Sequence, residues 1–319
     1  MKNVLITSKE FGKQLGHEHW QKLMDLLAAS GCKPIINDTG HAMSADDMLE
    51  QDKKTPLAGI LVYSSSDDMS SRVIDACKEL KVISRHGVGM ENIDVAAAEA
   101  KGIAVLNTAA AKSEETVADL AFGLMLATAR NIAAGDRAMR AGQWSRPISV
   151  DVWGKTLGII GLGRIGKAVA RRANAFSMKV LAYDVFQDVA FAEKEGVTFC
   201  SLEELLKQSD FITMHSSVTP GMDYLVGKKE FALMKESAIF INAARAKLVD
   251  YAAMREAVQA GRIGGAAIDV YETEPPQGAP WLAPKADNLI STPHIASYTI
   301  DSIRRMDTVA IKNLADTLK

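Results

Sequence analysis

Residues 155–176, KTLGIIGLGRIGKAVARRANAF, join a short apolar run to a helical pattern through three glycines. The apolar run predicts a buried strand, and residues 164–176 predict the helix that follows it. Gly161 permits a tight turn, Gly163 lets a ligand approach the backbone, and Gly166 lets the helix pack closely on the strand. Because the N-terminus of a helix attracts anions, this stretch predicts a Rossmann-type site for a pyrophosphate.

The next predicted strand, MKVLAYD, ends at Asp184, 18 residues after Gly166. A carboxylate at this point accepts hydrogen bonds from the ribose hydroxyls of NAD and repels the additional phosphate of NADP. No Arg or Lys lies between Asp184 and Lys194 to reverse that preference. The sequence therefore predicts NAD, with NADP, FAD or a turn without a ligand as the less favoured alternatives.

Short apolar runs and helical stretches alternate along most of the remaining chain. Runs such as AGILVY (58–63) and FITMH (211–215) are almost continuously apolar, as parallel strands buried on both faces are. This alternation predicts parallel sheets, and 319 residues suffice for about two domains of ~150 residues. Residues 114–132 form one long apolar pattern, which predicts a core helix or a helix in an interface between domains or subunits.

The composition argues against several classes of function. The chain has 37 Lys and Arg against 39 Asp and Glu, so its net charge of -2 gives no field that favours nucleic acid or anionic membranes. No run approaches the ~20 apolar residues that span a bilayer, and we expect no signal peptide, because the N-terminal apolar run is too short for a signal-peptide core and lacks a cleavage site. We expect a cytoplasmic protein without membrane or nucleic-acid partners.

Metal ligands are not expected either. Cys32, Cys77 and Cys200 are far apart and are expected to be buried thiols in a reducing compartment. His17 and His19 are expected to lie in solvent rather than to bind a metal.

Three residues that follow predicted strands are candidates for the chemistry. Arg245 follows AIFINAA (238–244), and its planar fork suits a carboxylate. Glu274 and His294 follow two further strands, and a His oriented by a carboxylate is a common acid/base device. A surface ion pair for Arg245 and a structural role for His294 are the alternatives, but all three residues together, after an NAD site, favour catalysis.

The chain resembles the D-isomer-specific 2-hydroxyacid dehydrogenases over essentially its whole length. The motifs that carry the resemblance are HGVGMENID (86–94), GKTLGIIGLGRIGKAVA (154–170), INAARAKLVD (241–250), AAIDVYETEP (266–275) and TPHIA (292–296). The resemblance implies two Rossmann-like, doubly wound α/β domains with the active site in the interdomain cleft. It also implies a discontinuous substrate-binding domain, residues 1–104 plus 291–319, and an NAD-binding domain, residues 105–290.

The resemblance implies a role for individual residues as well. Arg245 would anchor the substrate, His294 would be the acid/base, and Glu274 would be its partner. The implied cofactor contacts, with Asp269 at the nicotinamide carboxamide, are Thr116, Gly161, Gly163, Arg164, Ile165, Gly166, Asp184, His215, Thr219, Ala243 and Asp269. Besides Arg245, the implied substrate contacts are Ser64, Val88 and Gly89, with the Gly87–Gly89 loop offering backbone N–H groups. Relatives are usually dimers, which implies a homodimer through the NAD-binding domain near residues 114–132.

One departure from the family bears on the substrate. Phosphoglycerate dehydrogenases usually have an Arg where this chain has Tyr63, Ser64 and Ser65, although Arg72 or Arg85 could replace that charge. The sequence therefore favours an NAD-dependent oxidoreductase that acts on a small D-2-hydroxy acid or 2-oxo acid such as hydroxypyruvate or glyoxylate. Phosphoglycerate dehydrogenase and an NAD-sensing regulatory protein remain alternatives. Formate-type relatives have Gln beside the His, so Glu274 disfavours that activity.

Overall fold

The computed structural model describes residues 1–218, 224–276 and 288–319. They form two compact α/β units, Met1–Ser113 with Thr299–Lys319, and Glu114–Tyr298. Each unit is built on one parallel sheet.

The first unit contains a five-stranded sheet in the order β2-β1-β3-β4-β5. Its strands are β1 (Lys2–Ile6), β2 (Cys32–Ile36), β3 (Gly59–Val62), β4 (Val82–Arg85) and β5 (Ala104–Asn107). Its helices are α1 (His17–Ala29), α2 (Ala45–Lys54), α3 (Ser71–Ala76), α4 (Val95–Ala100) and, at the end of the chain, α12 (Ile300–Thr317). This strand order is that of flavodoxin-like folds.

Alternate residues of β1 enter different cores, as the two-residue period of a strand requires. Val4 and Ile6 pack with residues of α1 and α12 on one face of the sheet. Leu5 packs with residues of α2, α3 and α4 on the other face. The sheet is therefore covered on both faces, which explains why its strands are almost continuously apolar.

A buried carboxylate also joins α1 and the residue that follows β4 to the C-terminal helix of this unit. Asp307 is fully buried and lies 2.9 Å from Nε2 of His19 and 2.8 Å from Nε2 of His86. The expectation that His19 lies in solvent is therefore wrong. Its partner is 288 residues away in the sequence, so no local pattern indicates the contact.

The second unit contains a seven-stranded sheet in the order β12-β11-β10-β9-β6-β7-β8. Its strands are β6 (Thr156–Ile160), β7 (Lys179–Tyr183), β8 (Val197–Phe199), β9 (Phe211–Met214), β10 (Ile239–Asn242), β11 (Gly265–Ile268) and β12 (Leu289–Ser291). Its helices are α5 (Ser113–Ala129), α6 (Ile132–Arg140), α7 (Arg164–Ala175), α8 (Val189–Glu195), α9 (Leu202–Gln208), α10 (Lys228–Leu233) and α11 (Tyr251–Gln259). The order from β6 onward is that of a Rossmann fold with one strand added at an edge.

Helices cover both faces of the second sheet. Residues of α5 and α7 pack on one face, and residues of α9, α10 and α11 pack on the other. The predicted two-domain, doubly wound α/β fold is confirmed.

The long apolar pattern at 114–132 is not one helix. α5 ends at Ala129, Asn131 adopts a left-handed φ of 54°, and α6 begins at Ile132 with a bend of 61°. Asn tolerates this conformation better than most residues, so it can end one helix and start another. In the described part of the chain, no single helix has the length and apolar character to span a bilayer, and only α5 and α6 taken as a bent pair pass on those two criteria.

The bounds of the units differ from the predicted 1–104 plus 291–319 and 105–290. β5 runs to Asn107 and pairs with β4, so the first unit extends past residue 104. The backbone N–H groups of Ile295 and Ala296 donate to Asp269, which attaches the segment after β12 to the second unit. His294 therefore belongs to the same unit as the glycine-rich turn.

Candidate active site

The candidate residues of the second unit follow the carboxyl ends of its parallel strands. They are Gly161 after β6, Asp184 after β7, His215 after β9, Arg245 after β10, Asp269 after β11 and His294 after β12. The order of the strands reverses between β6 and β9. In sheets of this type, ligands bind in the crevice at that switch point.

The three glycines of the turn have different surroundings. Gly161 has a φ of 94°, and a Cβ there would lie 2.6 Å from the backbone nitrogen of Ser216. A Cβ on Gly166 would lie 2.1 Å from the carbonyl oxygen of Gly161. A Cβ on Gly163 would meet no described atom within 4 Å. Gly161 and Gly166 thus pack the turn and the helix together, and Gly163 leaves open space that fits a pyrophosphate at the start of α7.

Asp184 is attached to this turn. Its carboxylate accepts hydrogen bonds from the backbone N–H of Leu162 at 2.6 Å and of Phe186 at 3.0 Å. A carboxylate has about four acceptor sites, so capacity remains for ribose hydroxyls. The nearby Lys167 forms an ion pair with Asp188. The arrangement fits the ribose of NAD better than the phosphorylated ribose of NADP.

His215 is a buried, neutral side chain beside the turn. Its Nε2 lies 2.8 Å from the Thr213 hydroxyl, and its Nδ1 is buried without a hydrogen-bond partner among the described residues. Burial lowers the pKa of His215 to about 3. Thr219, which was predicted to lie along the cofactor, is outside the described residues.

The other predicted cofactor contacts lie around the start of α7. Ile165 packs against a small apolar cluster that contains Ala243 and Ala296. Thr116 is buried in α5, and Arg164 is exposed. The structure thus brings Ile165 and Ala243 together.

His294 and Glu274 form a close pair. Nδ1 of His294 lies 2.6 Å from Oε2 of Glu274, and their side chains are 48% and 33% exposed. This contact leaves Nε2 of His294 directed away from Glu274. A half-exposed imidazole held in this way can transfer a proton to or from a ligand.

The pair shifts the pKa of both members. The hydrogen bond to Glu274 raises the pKa of His294 above its ordinary value, against the effect of burial. Burial alone would raise the pKa of Glu274, but the bond from His294, the charge of His294 and the nearby charge of Arg245 together lower it. Glu274 is therefore an anion at neutral pH, and His294 retains its proton to higher pH than a free histidine does.

Arg245 is held through its backbone by a buried polar network. The Asn242 side chain donates to the carbonyl of Arg245 at 3.1 Å and to the Tyr251 hydroxyl at 3.1 Å. The Tyr251 hydroxyl donates in turn to the carbonyl of Val270 at 2.7 Å. The guanidinium of Arg245 donates to the carbonyl of Ala244 at 2.9 Å. These hydrogen bonds hold the backbone of Arg245, whose charge acts on Glu274, at the end of β10.

Asp269 supports the His294 loop, which we define as residues 292–296. Its buried carboxylate accepts hydrogen bonds from the Thr292 hydroxyl at 2.5 Å and from the backbone N–H groups of Ile295 and Ala296 at 2.9 and 2.8 Å. The resemblance implies only a cofactor contact for this residue. The structure adds a structural role that spacing along the chain does not indicate.

The predicted substrate contacts lie in the first unit. The backbone N–H of Ser64 donates to the buried Asp67 at 2.9 Å. Val88 is 42% exposed. The N–H of Gly87 donates to the Thr108 hydroxyl at 2.9 Å, so this first amide of the Gly87–Gly89 loop already has an acceptor.

The two cations considered as replacements for the missing Arg are both engaged elsewhere. Arg85 is 8% exposed, and its guanidinium donates to the carbonyls of Tyr63 at 2.6 Å and Val62 at 3.2 Å. Arg72 forms an exposed ion pair with Asp46.

Sequence reasoning missed three residues that hold the site together. Asn242 is a polar residue within an apolar strand, and that contrast could have indicated a buried network. Tyr271 and Thr292 flank predicted site residues, but the hydrogen bond between them links positions 21 apart in the chain. No local pattern predicts that bond.

Comparison with known proteins shows which protein family this chain matches. Residues 122–296 match the family model described as D-isomer specific 2-hydroxyacid dehydrogenase, NAD binding domain. A D-3-phosphoglycerate dehydrogenase of Methanocaldococcus jannaschii is 41% identical over 290 residues, which cover 89% of this chain and 55% of that protein. The chain thus spans about half the length of this relative.

Other relatives match over most of their length. A hydroxypyruvate reductase of Thermotoga maritima is 38% identical over 288 residues, covering 88% of this chain and 91% of that protein. Among solved structures, D-lactate dehydrogenase of Aquifex aeolicus in complex with NAD and lactic acid has a TM-score of 0.82 and 29% identity, covering 98% of this chain and 94% of that one.

Proposed function

Because this chain belongs to the D-isomer-specific 2-hydroxyacid dehydrogenase family, we propose that it interconverts a small 2-oxo acid and the corresponding D-2-hydroxy acid with NAD(H). The chain carries the NAD-binding domain of that family. The observation that carries the proposal is the close His294–Glu274 pair, which lies within the electrostatic reach of Arg245 in the same unit as the glycine-rich turn.

NAD, when bound, supplies a hydride acceptor or donor for C2 of the substrate. Arg245 binds the substrate carboxylate and polarises the adjacent carbonyl. Protonated His294 gives its proton to the carbonyl oxygen as negative charge develops there, and neutral His294 takes that proton back in the oxidation. Glu274 holds the tautomer of His294 and stabilises its charged form.

The substrate is proposed to carry no phosphate. A phosphoryl group is usually bound by an Arg fork or by several backbone N–H groups. Arg85 is buried and donates to the backbone carbonyl of Tyr63 in the first unit, and Arg72 is paired with Asp46. Because both cations are engaged elsewhere, an uncharged substituent at C2 of the substrate is favoured over a phosphorylated one. Phosphoglycerate dehydrogenase remains the second candidate, because the Methanocaldococcus relative has that name.

One assay separates these candidates. NADH oxidation is measured with glyoxylate, hydroxypyruvate, pyruvate and 3-phosphohydroxypyruvate, and each reaction is repeated with NADPH. We expect the highest kcat/KM with an unphosphorylated acid and NADH. A preference for the phosphorylated acid would establish the second candidate. Tight NADH binding without turnover of any of the four would refute the proposal and favour an NAD-sensing regulator.

The proposed enzyme acts as a homodimer through the second unit. Large apolar side chains on α6 and in the segment before β6 are exposed in the single chain. They are Ile132 (56%), Met139 (57%), Trp144 (79%), Ile148 (100%) and Trp153 (71%). A group of this size on a surface usually marks a protein interface.

Sedimentation velocity tests the dimer. We expect the double variant Trp144→Asp/Ile148→Asp to sediment as a monomer. Ile300→Asp, at another exposed apolar position (63%), is the matched control and should remain dimeric. A wild-type protein that is monomeric at micromolar concentration would refute this part of the proposal.

We also propose a cytoplasmic location, supported by the free thiols of Cys32, Cys77 and Cys200. Disulfides are rare in a reducing compartment. Fractionation of cells that produce the natural protein tests the location, and recovery outside the cytoplasm would contradict it.

A further inference from the structure

We propose that Tyr271 is a positioning residue for His294, and that it acts by joining the loop that carries Glu274 to the His294 loop. The inference rests on the proposed function, because it assigns Tyr271 to the acid/base step of that reaction. Tyr271 itself is not expected to touch the substrate.

Two bonds of Tyr271 reach the two members of the pair. Its hydroxyl donates to the carbonyl of Thr292 at 2.5 Å, and its backbone N–H donates to Oε1 of Glu274 at 3.1 Å. The other oxygen of Glu274 lies 2.6 Å from Nδ1 of His294. Tyr271, Glu274, His294 and Thr292 therefore form a closed ring of contacts, in which each loop restrains the other.

His294 needs such restraint because of its backbone. Its φ is 53°, in the left-handed region that side-chain-bearing residues seldom adopt unless their surroundings impose it. Its N–H donates to the carbonyl of Thr292 at 3.0 Å. That carbonyl also accepts the Tyr271 hydroxyl, so Tyr271 fixes the acceptor on which the turn at His294 depends.

The Tyr271 hydroxyl keeps its proton at neutral and moderately alkaline pH, so it remains a hydrogen-bond donor there. Burial, together with the charges of Asp269 and Glu274, raises the pKa of Tyr271 to about 12. Tyr271 as a whole residue is only 9% exposed, so solvent cannot readily replace the bond to Thr292.

A buried hydroxyl in α5 provides a matched control. Thr128 is 6% exposed, and its hydroxyl also donates to a backbone carbonyl, that of Leu124, at 2.8 Å. Both residues lie in α5, outside the ring of contacts and outside the network that holds Arg245. Thr128→Val thus removes a comparable buried hydroxyl without breaking that ring.

The experiment compares Tyr271→Phe, Thr128→Val and the wild-type protein by NMR titration of the His294 ring without substrate or cofactor. The His294 signal is assigned by its loss in His294→Gln. In Tyr271→Phe we expect the pKa of His294 to fall from its raised value, because the contact with Glu274 loosens. In Thr128→Val we expect the His294 titration of the wild type.

Kinetics provide the second readout. For Tyr271→Phe we expect the turnover number for reduction of the 2-oxo acid to fall about tenfold, since small misplacements of a catalytic group cost large factors, and KM for NADH to stay within about twofold. A wild-type His294 titration in Tyr271→Phe would overturn the proposal, whatever happens to the turnover number. The same conclusion would follow if Tyr271→Phe and Thr128→Val changed the titration equally.

Two further results remain interpretable. If Tyr271→Phe does not fold, the His294 titration is measured on Tyr271→Met, whose flexible apolar side chain fills the same space without a hydroxyl; an unchanged His294 pKa there also overturns the proposal. If the titration shifts as expected but no 2-oxo acid is turned over, the positioning role stands and the proposed function fails.

Discussion

The glycine-rich turn offers a test in which two nearly identical substitutions should change different properties, the stability of the protein for Gly166→Ala and the affinity for NADH for Gly163→Ala. A Cβ on Gly166 would lie 2.1 Å from the carbonyl oxygen of Gly161, a contact that would have to open by 0.9 Å to reach the 3.0 Å below which real Cβ contacts essentially never occur (3.0 − 2.1 = 0.9). The two atoms that this Cβ would approach most closely, O and C of Gly161, belong to the main chain and cannot rotate away as a side chain can. α7 must therefore move away from the turn. Overpacking of this kind costs about 1–3 kcal/mol.

For Gly166→Ala we therefore expect a lower Tm of the protein without cofactor. The second unit, Glu114–Tyr298, has 185 residues (298 − 113 = 185). At this size, 1 kcal/mol corresponds to roughly 2–4 °C, so Tm should fall by roughly 2–12 °C.

Gly163→Ala should behave differently. Its Cβ would enter open space, and its φ of −71° is accessible to alanine, so Tm should remain close to that of the wild type. A methyl group there would keep a phosphate oxygen from the N–H groups at the start of α7. The loss of one charge-assisted hydrogen bond, about 1.5–3 kcal/mol, corresponds to roughly 10–100-fold weaker NADH binding.

Differential scanning calorimetry and a fluorescence titration with NADH measure both quantities on each variant. Wild-type NADH affinity in Gly163→Ala would refute the assignment of the pyrophosphate to this turn. Wild-type Tm in Gly166→Ala would refute the packing argument. Because the two variants differ only in position, a general effect of replacing glycine by alanine cannot produce the expected pattern.

Three other variants address the acid/base pair and the ribose site. His294→Gln should lower kcat by about 10²–10⁴-fold with an unchanged Kd for NADH, and a loss of less than tenfold would contradict the role of His294 as the acid/base. Glu274→Gln removes the charge that raises the pKa of His294, so the fall of kcat/KM for reduction with rising pH should move to lower pH; a profile that stays in place would show that Glu274 does not control that proton. Asp184→Asn should raise KM for NADH and narrow the preference over NADPH, which initial rates with both cofactors measure; an unchanged ratio would place the ribose elsewhere.

Much of the fold follows from local patterns. The strand, turn and helix around Gly161 are encoded by neighbouring residues, and the capping box at the start of α9 is likewise formed by two residues three apart, Ser201 and Glu204. The break after α5 was missed because apolar residues continue through Asn131, and only its left-handed backbone separates the two helices. Periodicity reports which face of an element is buried, but it does not report where one element stops and another with a similar face begins.

The site was predictable to a lesser degree, for a physical reason. Arg245, Glu274 and His294 could be proposed from their residue types and their positions after strands. The bonds that orient them could not, because Tyr271 to Thr292 and Asn242 to Tyr251 are tertiary contacts between groups that no spacing rule pairs. Residue types thus predict which chemistry a site can perform, whereas its precision comes from contacts that only the folded chain defines.

Asp269 meets two requirements at once: its carboxylate suits a cofactor contact, and its hydrogen bonds hold the His294 loop in place. Of its two oxygens, Oδ1 accepts from the Thr292 hydroxyl and the N–H of Ile295, and Oδ2 accepts from the N–H of Ala296. A carboxylate has about four acceptor sites, so these three bonds from described residues leave, within the described part of the chain, one site on Oδ2 for an external donor such as a carboxamide N–H. A cofactor contact there would use the same anion that fixes the His294 loop. Binding of the nicotinamide and alignment of the acid/base residue would then depend on a single buried charge, which explains why a carboxylate, and not an amide with acceptor sites on one atom only, suits this position.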